Sequence, residues 1–220
     1  MIKAVVVDVD DTLCLTEAVC FDLENEVLQR MGREPMSRST HKSTWGKPLF
    51  EAIHERSPGL DPVQFEKIFY QVTDEYVADG RLDTIPEENY AALDKLIIGG
   101  KDVMLLTSRT HGELKHMLAP DHMLATRVKA FYYRDIMNYH KPDPRAFDDL
   151  LKDHSLRPHE CVYVGDSTSD AKAANEAGLK FIASLESGLR QEQDFGCYKV
   201  DAFVSSFPGI VDAISSIERL

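Results

Sequence analysis

Near the amino end, the apolar run Ile2-Lys3-Ala4-Val5-Val6-Val7 stops abruptly in Asp8-Val9-Asp10-Asp11-Thr12. Acids that close a buried strand are costly unless something pairs with them, so the pattern asks for a chemical use. If the chain is still extended there, Asp8 and Asp10 face the same side. Comparable polar groups occur three more times. Thr107-Ser108-Arg109 follows an apolar run, Lys141-Pro142 precedes a helical stretch, and Gly165-Asp166-Ser167-Thr168-Ser169-Asp170 follows another run. Together these segments offer four carboxylates (Asp8, Asp10, Asp166 and Asp170), a hydroxyl and an ammonium. Four acids brought together repel one another and need a cation. Oxygen donors with no cysteine or histidine beside them select a hard ion, and Mg²⁺ suits a site that keeps waters and meets a phosphate. The expected ligand is therefore a small phosphorylated molecule.

The elements that must position these residues follow from hydrophobic patterning. Short apolar runs at 2–7, 103–106, 128–132, 162–164, 181–183 and 202–204 alternate with helical stretches at 87–98, 111–118, 144–154 and 167–177. Such alternation predicts an α/β fold, a doubly wound, mostly parallel sheet covered by helices on both faces. Ligands of open parallel sheets bind beyond the carboxyl ends of the strands, where the polar segments stand. Residues 16–84 break the alternation. They hold no strand pattern but amphipathic stretches at 17–31, 48–55 and 62–79, far more than a crossover needs. The expected organisation is a core of residues 1–15 and 85–220 with an inserted helical domain at 16–84.

In order and spacing, Asp8-Val9-Asp10-Asp11-Thr12, Thr107, Lys141-Pro142 and Gly165-Asp166 with Asp170 resemble the four motifs of the haloacid dehalogenase superfamily. The whole chain is similar to its phosphoglycolate phosphatase-like subgroup, which inserts a helical cap after the first strand. The resemblance implies a Rossmann-like core and a covalent mechanism. Asp8 is the nucleophile that forms an aspartyl-phosphate, and Asp10 is the acid that protonates the leaving oxygen and then the base that activates water. Thr107 and Lys141 hold the phosphoryl oxygens. Asp8, Asp166 and the backbone carbonyl of Asp10 hold Mg²⁺, while Asp170 supports the metal through water or orients Lys141. Dehalogenases of the superfamily lack an acid equivalent to Asp10, so its presence points to phosphoryl transfer. Asp11 departs from the glycine that many relatives carry there. The implied enzyme is a Mg²⁺-dependent phosphatase; a β-phosphoglucomutase-like isomerase and a non-catalytic phosphate-binding module are the alternatives. Each residue also has a plainer use. Asp166 or Ser167 can cap the next helix, Thr107 can cap the one near 111, and Lys141 can be a solvated loop lysine.

Substrate contacts are expected from Ser108 and Arg109, beside Thr107, and from Trp45 and Lys47 in the insertion. Residues 38–48 read as a polar loop between two helices, in which Arg38, His41, Lys42 and Lys47 either meet an anionic leaving group or stay solvated. Trp45, the single tryptophan, stacks on a ligand ring or packs in the cap core, its commoner use. Composition narrows the field further. With 37 acidic and 25 basic residues the 220-residue chain carries a net charge of −12, which disfavours nucleic acid as a partner. No run is long enough to span a membrane, and the first apolar run is too short for a signal peptide. The four cysteines form no CxxC pair and no HExxH occurs. A reducing, cytoplasmic setting is expected. No oligomeric state is specified.

Overall fold

The computed structural model describes residues 1–45, 49–82 and 84–219. Strand β1 (Ala4–Val7) leads into the helices α1 (Thr16–Arg30), α2 (Arg38–Thr44), α3 (Leu49–Arg56) and α4 (Pro62–Ala78). After them come α5 (Glu87–Ile98), β2 (Asp102–Leu106), α6 (His111–Leu114), β3 (Ala130–Tyr132) and α7 (Asp148–Asp153). The chain ends with β4 (Cys161–Gly165), α8 (Thr168–Ala177), β5 (Lys180–Ser184), β6 (Ala202–Val204) and α9 (Ile210–Ile217). It divides into two compact units, Met1–Cys14 with Ile85–Leu220, and Leu15–Thr84.

In the first unit six strands form one sheet in the order β3-β2-β1-β4-β5-β6, every pairing parallel. Side chains of successive strand residues point to opposite faces, and the sequence fills both. Val5, Val7, Val103, Leu105, Val162 and Val164 share one apolar cluster with Leu93 and Leu96 of α5 and Ile210 and Ile214 of α9. Val6, Met104, Leu106, Tyr163 and Phe181 share the other with Leu150 of α7 and Ala171 and Ala174 of α8. Burial on both faces is why these strands read as unbroken apolar runs rather than as alternation. The chain builds outward from β1 through β2 to β3, then returns to place β4 on the other flank. The crevice between β1 and β4 is therefore the switch point at which ligands of such sheets bind.

Several elements differ from the sequence expectation. The expected strand at 128–132 shrinks to Ala130–Tyr132, an edge strand paired only with β2. The helix expected at 111–118 ends at Leu114, before the turns that lead to Pro120. The stretch at 144–154 opens with a 3₁₀ turn, Pro144–Phe147, capped by the Asp143 side chain, which accepts from the Arg145 N–H.

The second unit has its own core, built from Leu23, Val27 and Leu28 of α1, Ile53 of α3 and Phe65, Val72 and Tyr76 of α4. Asp61 caps α4, accepting from the Val63 N–H at 3.0 Å, with Pro62 in the first turn where no donor is missed. Residues 38–44, expected as loop, form α2. Ser37 caps it by accepting from the Thr40 N–H at 3.1 Å, which turns a polar segment into a helix with a buried face at His41 and Thr44.

Candidate active site

Asp8 is the first residue beyond β1, and its N–H donates to the Val164 carbonyl of β4 at 2.9 Å, carrying the parallel ladder past the strand end. Its carboxylate is almost wholly buried. Three residues later the left-handed backbone of Asp11, φ 54°, turns the chain back. Aspartate is among the few residues besides glycine that occupy this region readily, which accounts for its standing where many relatives have glycine.

The Lys141 ammonium joins three acceptors. Nζ lies 3.0 Å from Asp8 Oδ1 and donates at 2.7 Å to both Asp170 Oδ1 and Tyr163 Oη. Its side chain is only 6% exposed, which excludes the solvated-loop alternative. Burial alone would lower its pKa, but the Asp170 and Asp8 carboxylates outweigh burial and hold it above the usual lysine range. Tyr163 was not anticipated as a site residue. Its hydroxyl donates to Asp170 Oδ1 at 3.1 Å, with the Leu106 carbonyl at 3.3 Å as a second acceptor. The signal was present, because a tyrosine inside a fully buried strand must find a partner for its hydroxyl. Burial, then Asp170 and Asp8, push its pKa well up, so it stays a neutral donor.

Asp170 is reached from α8. Its Oδ2 accepts from the Ser167 N–H at 3.0 Å and from Ser167 Oγ at 2.6 Å, while Ser167 Oγ accepts from the Asp170 N–H at 3.3 Å. Ser167, rather than Asp166, is thus the cap of α8. Both oxygens of Asp170 are engaged by protein donors, which makes it the support of Lys141. Gly165 permits this approach: an added Cβ would lie 2.7 Å from Asp170 Cβ and Cγ.

Asp8, Asp166 and Asp170 each offer a carboxylate oxygen within 4.8 Å of the others. Burial and then Asp170, Asp8 and Asp11 push the Asp166 pKa well above the carboxylate range. Burial likewise raises Asp8, against the pull of Lys141 and with the added repulsion of Asp170 and Asp10. Three carboxylates face one ammonium, a surplus of two negative charges, which is the charge of one divalent cation. All the donors are oxygens, so the site fits Mg²⁺, with Asp8 and Asp166 the carboxylates left to hold it.

Asp10 meets Arg109. The Arg109 Nε donates to Oδ1 and Oδ2 at 3.0 and 3.2 Å, and Nη2 donates to Oδ1 at 2.6 Å. Thr107 directly follows β2, buried, with its N–H on the Tyr132 carbonyl at 2.9 Å and its Oγ1 accepting from the Arg109 N–H at 3.2 Å. It does not cap α6. Thr110 holds that position, with Glu113 Oε2 accepting from its N–H and Oγ1, each at 2.7 Å. Ser108 is exposed at the same turn.

In the second unit two of the residues expected to meet a ligand, Arg38 and His41, are tied to glutamates of α1. His41 is fully buried, Nδ1 2.7 Å from Glu17 Oε1 and Nε2 3.2 Å from Glu24 Oε1. Arg56 Nη1 donates to both Glu24 oxygens at 2.6 Å, its Nε donates to Thr44 Oγ1 at 2.7 Å, and Arg38 Nη2 pairs with Glu17 Oε2. Neither a solvated loop nor a ligand contact describes His41. Glu17 and Glu24, seven residues apart on the α1 face that also carries Leu28, were the overlooked signal of this polar ladder. Trp45 is half-buried against His41, ring centroids 5.2 Å apart. Lys47 lies outside the described residues.

Comparisons with known proteins agree with this construction. The sequence profile of haloacid dehalogenase-like hydrolases matches residues 5–184. The phosphoglycolate phosphatase of Rhodobacter capsulatus is 26% identical over 219 residues, 96% of this chain and 98% of that protein. The phosphoglycolate phosphatase of Nitrosospira multiformis is 25% identical over 229 residues, 99% and 96% of the two chains. Among solved structures, a candidate β-phosphoglucomutase from Thermotoga maritima superposes with a TM-score of 0.81 over 98% of this chain and 99% of its own, at 21% identity, a likeness of fold alone. With strand-end acids, a buried lysine and a profile match over most of its length, the chain belongs to the haloacid dehalogenase-like hydrolases.

Proposed function

We propose that the chain is a phosphatase that hydrolyses a small phosphorylated metabolite through an aspartyl-phosphate on Asp8, with Mg²⁺ as cofactor and residues 16–84 as the helical cap. The observation that carries this reading is Asp8 at the switch point of the sheet, 3.0 Å from a buried ammonium that Asp170 and Tyr163 hold in place. A carboxylate so placed is a nucleophile with its electrophile's counter-charge already installed.

In the first step an Asp8 oxygen forms a bond to phosphorus while the bond from phosphorus to the ester oxygen breaks. The electron pair goes to the leaving oxygen, which takes a proton from Asp10. In the second step a water oxygen attacks phosphorus and gives its proton to Asp10. The bond to Asp8 then breaks, which releases phosphate and restores the carboxylate. Lys141 and Thr107 supply donors to the phosphoryl oxygens. Mg²⁺ held by Asp8, Asp166 and the Asp10 carbonyl would neutralise charge on those oxygens. The relatives named phosphoglycolate phosphatase make 2-phosphoglycolate, a phosphate ester with a carboxylate, the first substrate to assay.

The test is phosphate release from a panel of phosphate monoesters with Mg²⁺, for the wild type and for Asp8→Asn, alongside trapping of Asp8 with beryllium fluoride. Release by the wild type only, with an adduct at Asp8, is the expected result. Wild-type activity in Asp8→Asn overturns the covalent mechanism. Interconversion of a hexose phosphate without release favours the mutase alternative, and no turnover with no adduct favours the binding module.

A further inference from the structure

Arg109 is placed to do more than contact a substrate. Its fork takes both carboxylate oxygens of Asp10, with Nε at 3.0 and 3.2 Å and Nη2 at 2.6 Å. The two partners are not equally held. The Arg109 side chain is 9% exposed and that of Asp10 37%. The arginine backbone is fixed on both sides, its N–H on Thr107 Oγ1 at 3.2 Å and its carbonyl accepting from the Arg134 N–H at 2.9 Å. Nη1 also lies 4.0 Å from Met117 Sδ in the interior. The guanidinium is thus a built fixture beside the strand ends, and the Asp10 carboxylate is the more accessible member of the pair.

While the fork is closed, both oxygens of Asp10 accept from Arg109 N–H donors, which engages the carboxylate that proton transfer would use. We propose that Arg109 is a substrate-sensing clamp. A second anionic group on the substrate, a carboxylate a short chain beyond the ester oxygen, takes the fork from Asp10 and so frees Asp10 for proton transfer. This rests on the phosphatase reading and on Asp10 as its acid and base.

The energetics favour an exchange over a simple opening. A planar carboxylate fits the guanidinium fork as Asp10 does, so one charge-assisted bidentate pair replaces another. A phosphate ester without a second anion must open the pair and offers Arg109 no carboxylate in exchange for Asp10, which is unfavourable. Selectivity of this type comes from a pairing that a wrong substrate breaks without replacing, and it reaches factors well beyond those of shape alone. Arg109 would thereby link recognition of one end of the substrate to chemistry at the other.

The experiment compares 2-phosphoglycolate with ethyl phosphate, which lacks the carboxylate, measuring kcat and KM separately for wild type, Arg109→Gln and Arg109→Lys. The wild type is expected to favour the carboxylated ester by about 100-fold or more in kcat/KM. In Arg109→Gln the two substrates move in opposite directions: kcat/KM for 2-phosphoglycolate falls, and kcat for ethyl phosphate rises because Asp10 is no longer held. Arg109→Lys, which keeps the charge but not the fork, recovers only part of the preference. Acetate supplied with ethyl phosphate raises wild-type kcat and leaves Arg109→Gln unchanged. A merely structural arginine would lower both substrates by the same factor, and that result overturns the clamp. Equal wild-type kcat/KM for the two esters also overturns it while the phosphatase reading stands; hydrolysis of neither removes both. If the variants fail to fold, the acetate arm on the wild type decides, since absence of activation contradicts the exchange.

Discussion

Replacing Gly165 by alanine isolates the geometry that places Lys141 on Asp8. A methyl group at this position would sit 2.7 Å from Asp170 Cβ and Cγ and 2.8 Å from Oδ2. Carbon atoms in contact prefer about 3.5–4.0 Å, so Asp170 or the end of β4 must retreat by about 1 Å. The obstacle is the root of the Asp170 side chain rather than a flexible tip, so a rotamer change does not relieve it. Overpacking of this kind costs about 1–3 kcal/mol of stability. Its larger effect falls on Lys141, whose Nζ takes its position from Asp170 Oδ1 at 2.7 Å. A displacement of about 1 Å among groups that must align with a reacting phosphoryl is worth about 100-fold in rate. Gly165→Ala should therefore fold with a modestly lowered Tm and lose about two orders of magnitude in kcat, with a smaller change in KM. The assay is steady-state phosphate release on the substrate that the wild type prefers, with a thermal melt of the same preparations. A variant that melts lower yet keeps wild-type kcat would refute the chain of positioning from Gly165 through Asp170 to Lys141.

Other expectations concern charge and exposure elsewhere. Arg56→Met leaves Glu24 buried with its best partner gone and should cost about 3–5 kcal/mol in urea unfolding, whereas Arg30→Ala, which breaks exposed pairs with Glu26 and Glu75, should change little. The Lys3 side chain and the Arg157 N–H, at 2.7 and 2.9 Å, hold the Glu160 carboxyl down at about 2 from its usual 4.5. Because the folded value is the lower one, this group stabilises the fold above pH 4.5 and loses its contribution as pH falls toward 2. The Tm gap between wild type and Glu160→Gln should be full at pH 6 and shrink steadily below pH 4.5; a gap independent of pH contradicts the assignment. Burial pushes the Cys161 thiol up to about 12, while Cys197 is exposed, so iodoacetamide at pH 8 should label Cys197 and leave Cys161 intact until the protein unfolds, as read by peptide mass.

What the sequence discloses and what it hides follow one physical line. Asp8, Thr107 and Asp166 could be picked out because each directly follows an apolar run, where a polar residue lies at a strand end. The α/β class was readable for the same reason, since strands buried on both faces leave continuous apolar runs. The bond from Tyr163 to Lys141 was hidden, because a tyrosine within such a run counts as apolar and its hydroxyl partner comes from a distant loop. The ladder of Glu17, His41, Glu24 and Arg56 was hidden more thoroughly. Each member alone suggests a solvated surface, and only their mutual satisfaction permits burial. The fork of Arg109 on Asp10 joins residues 99 apart, and no local pattern announces it.

The placement of β1 has a consequence for how the chain is made. This interior strand pairs with residues 102–105 on one side and 161–164 on the other. At about 5–20 residues per second, the roughly 95 residues that separate Val7 from β2 take about 5–20 s to synthesise. Throughout that interval an apolar segment with open edges waits for its first partner, while the helices of residues 15–84, whose contacts are local, have everything they need to pack. The strand that carries Asp8 is made before either of the strands it pairs with and is enclosed late. Ribosome-associated chaperones that shield short apolar segments would therefore find their natural substrate in the β1 segment of the nascent chain.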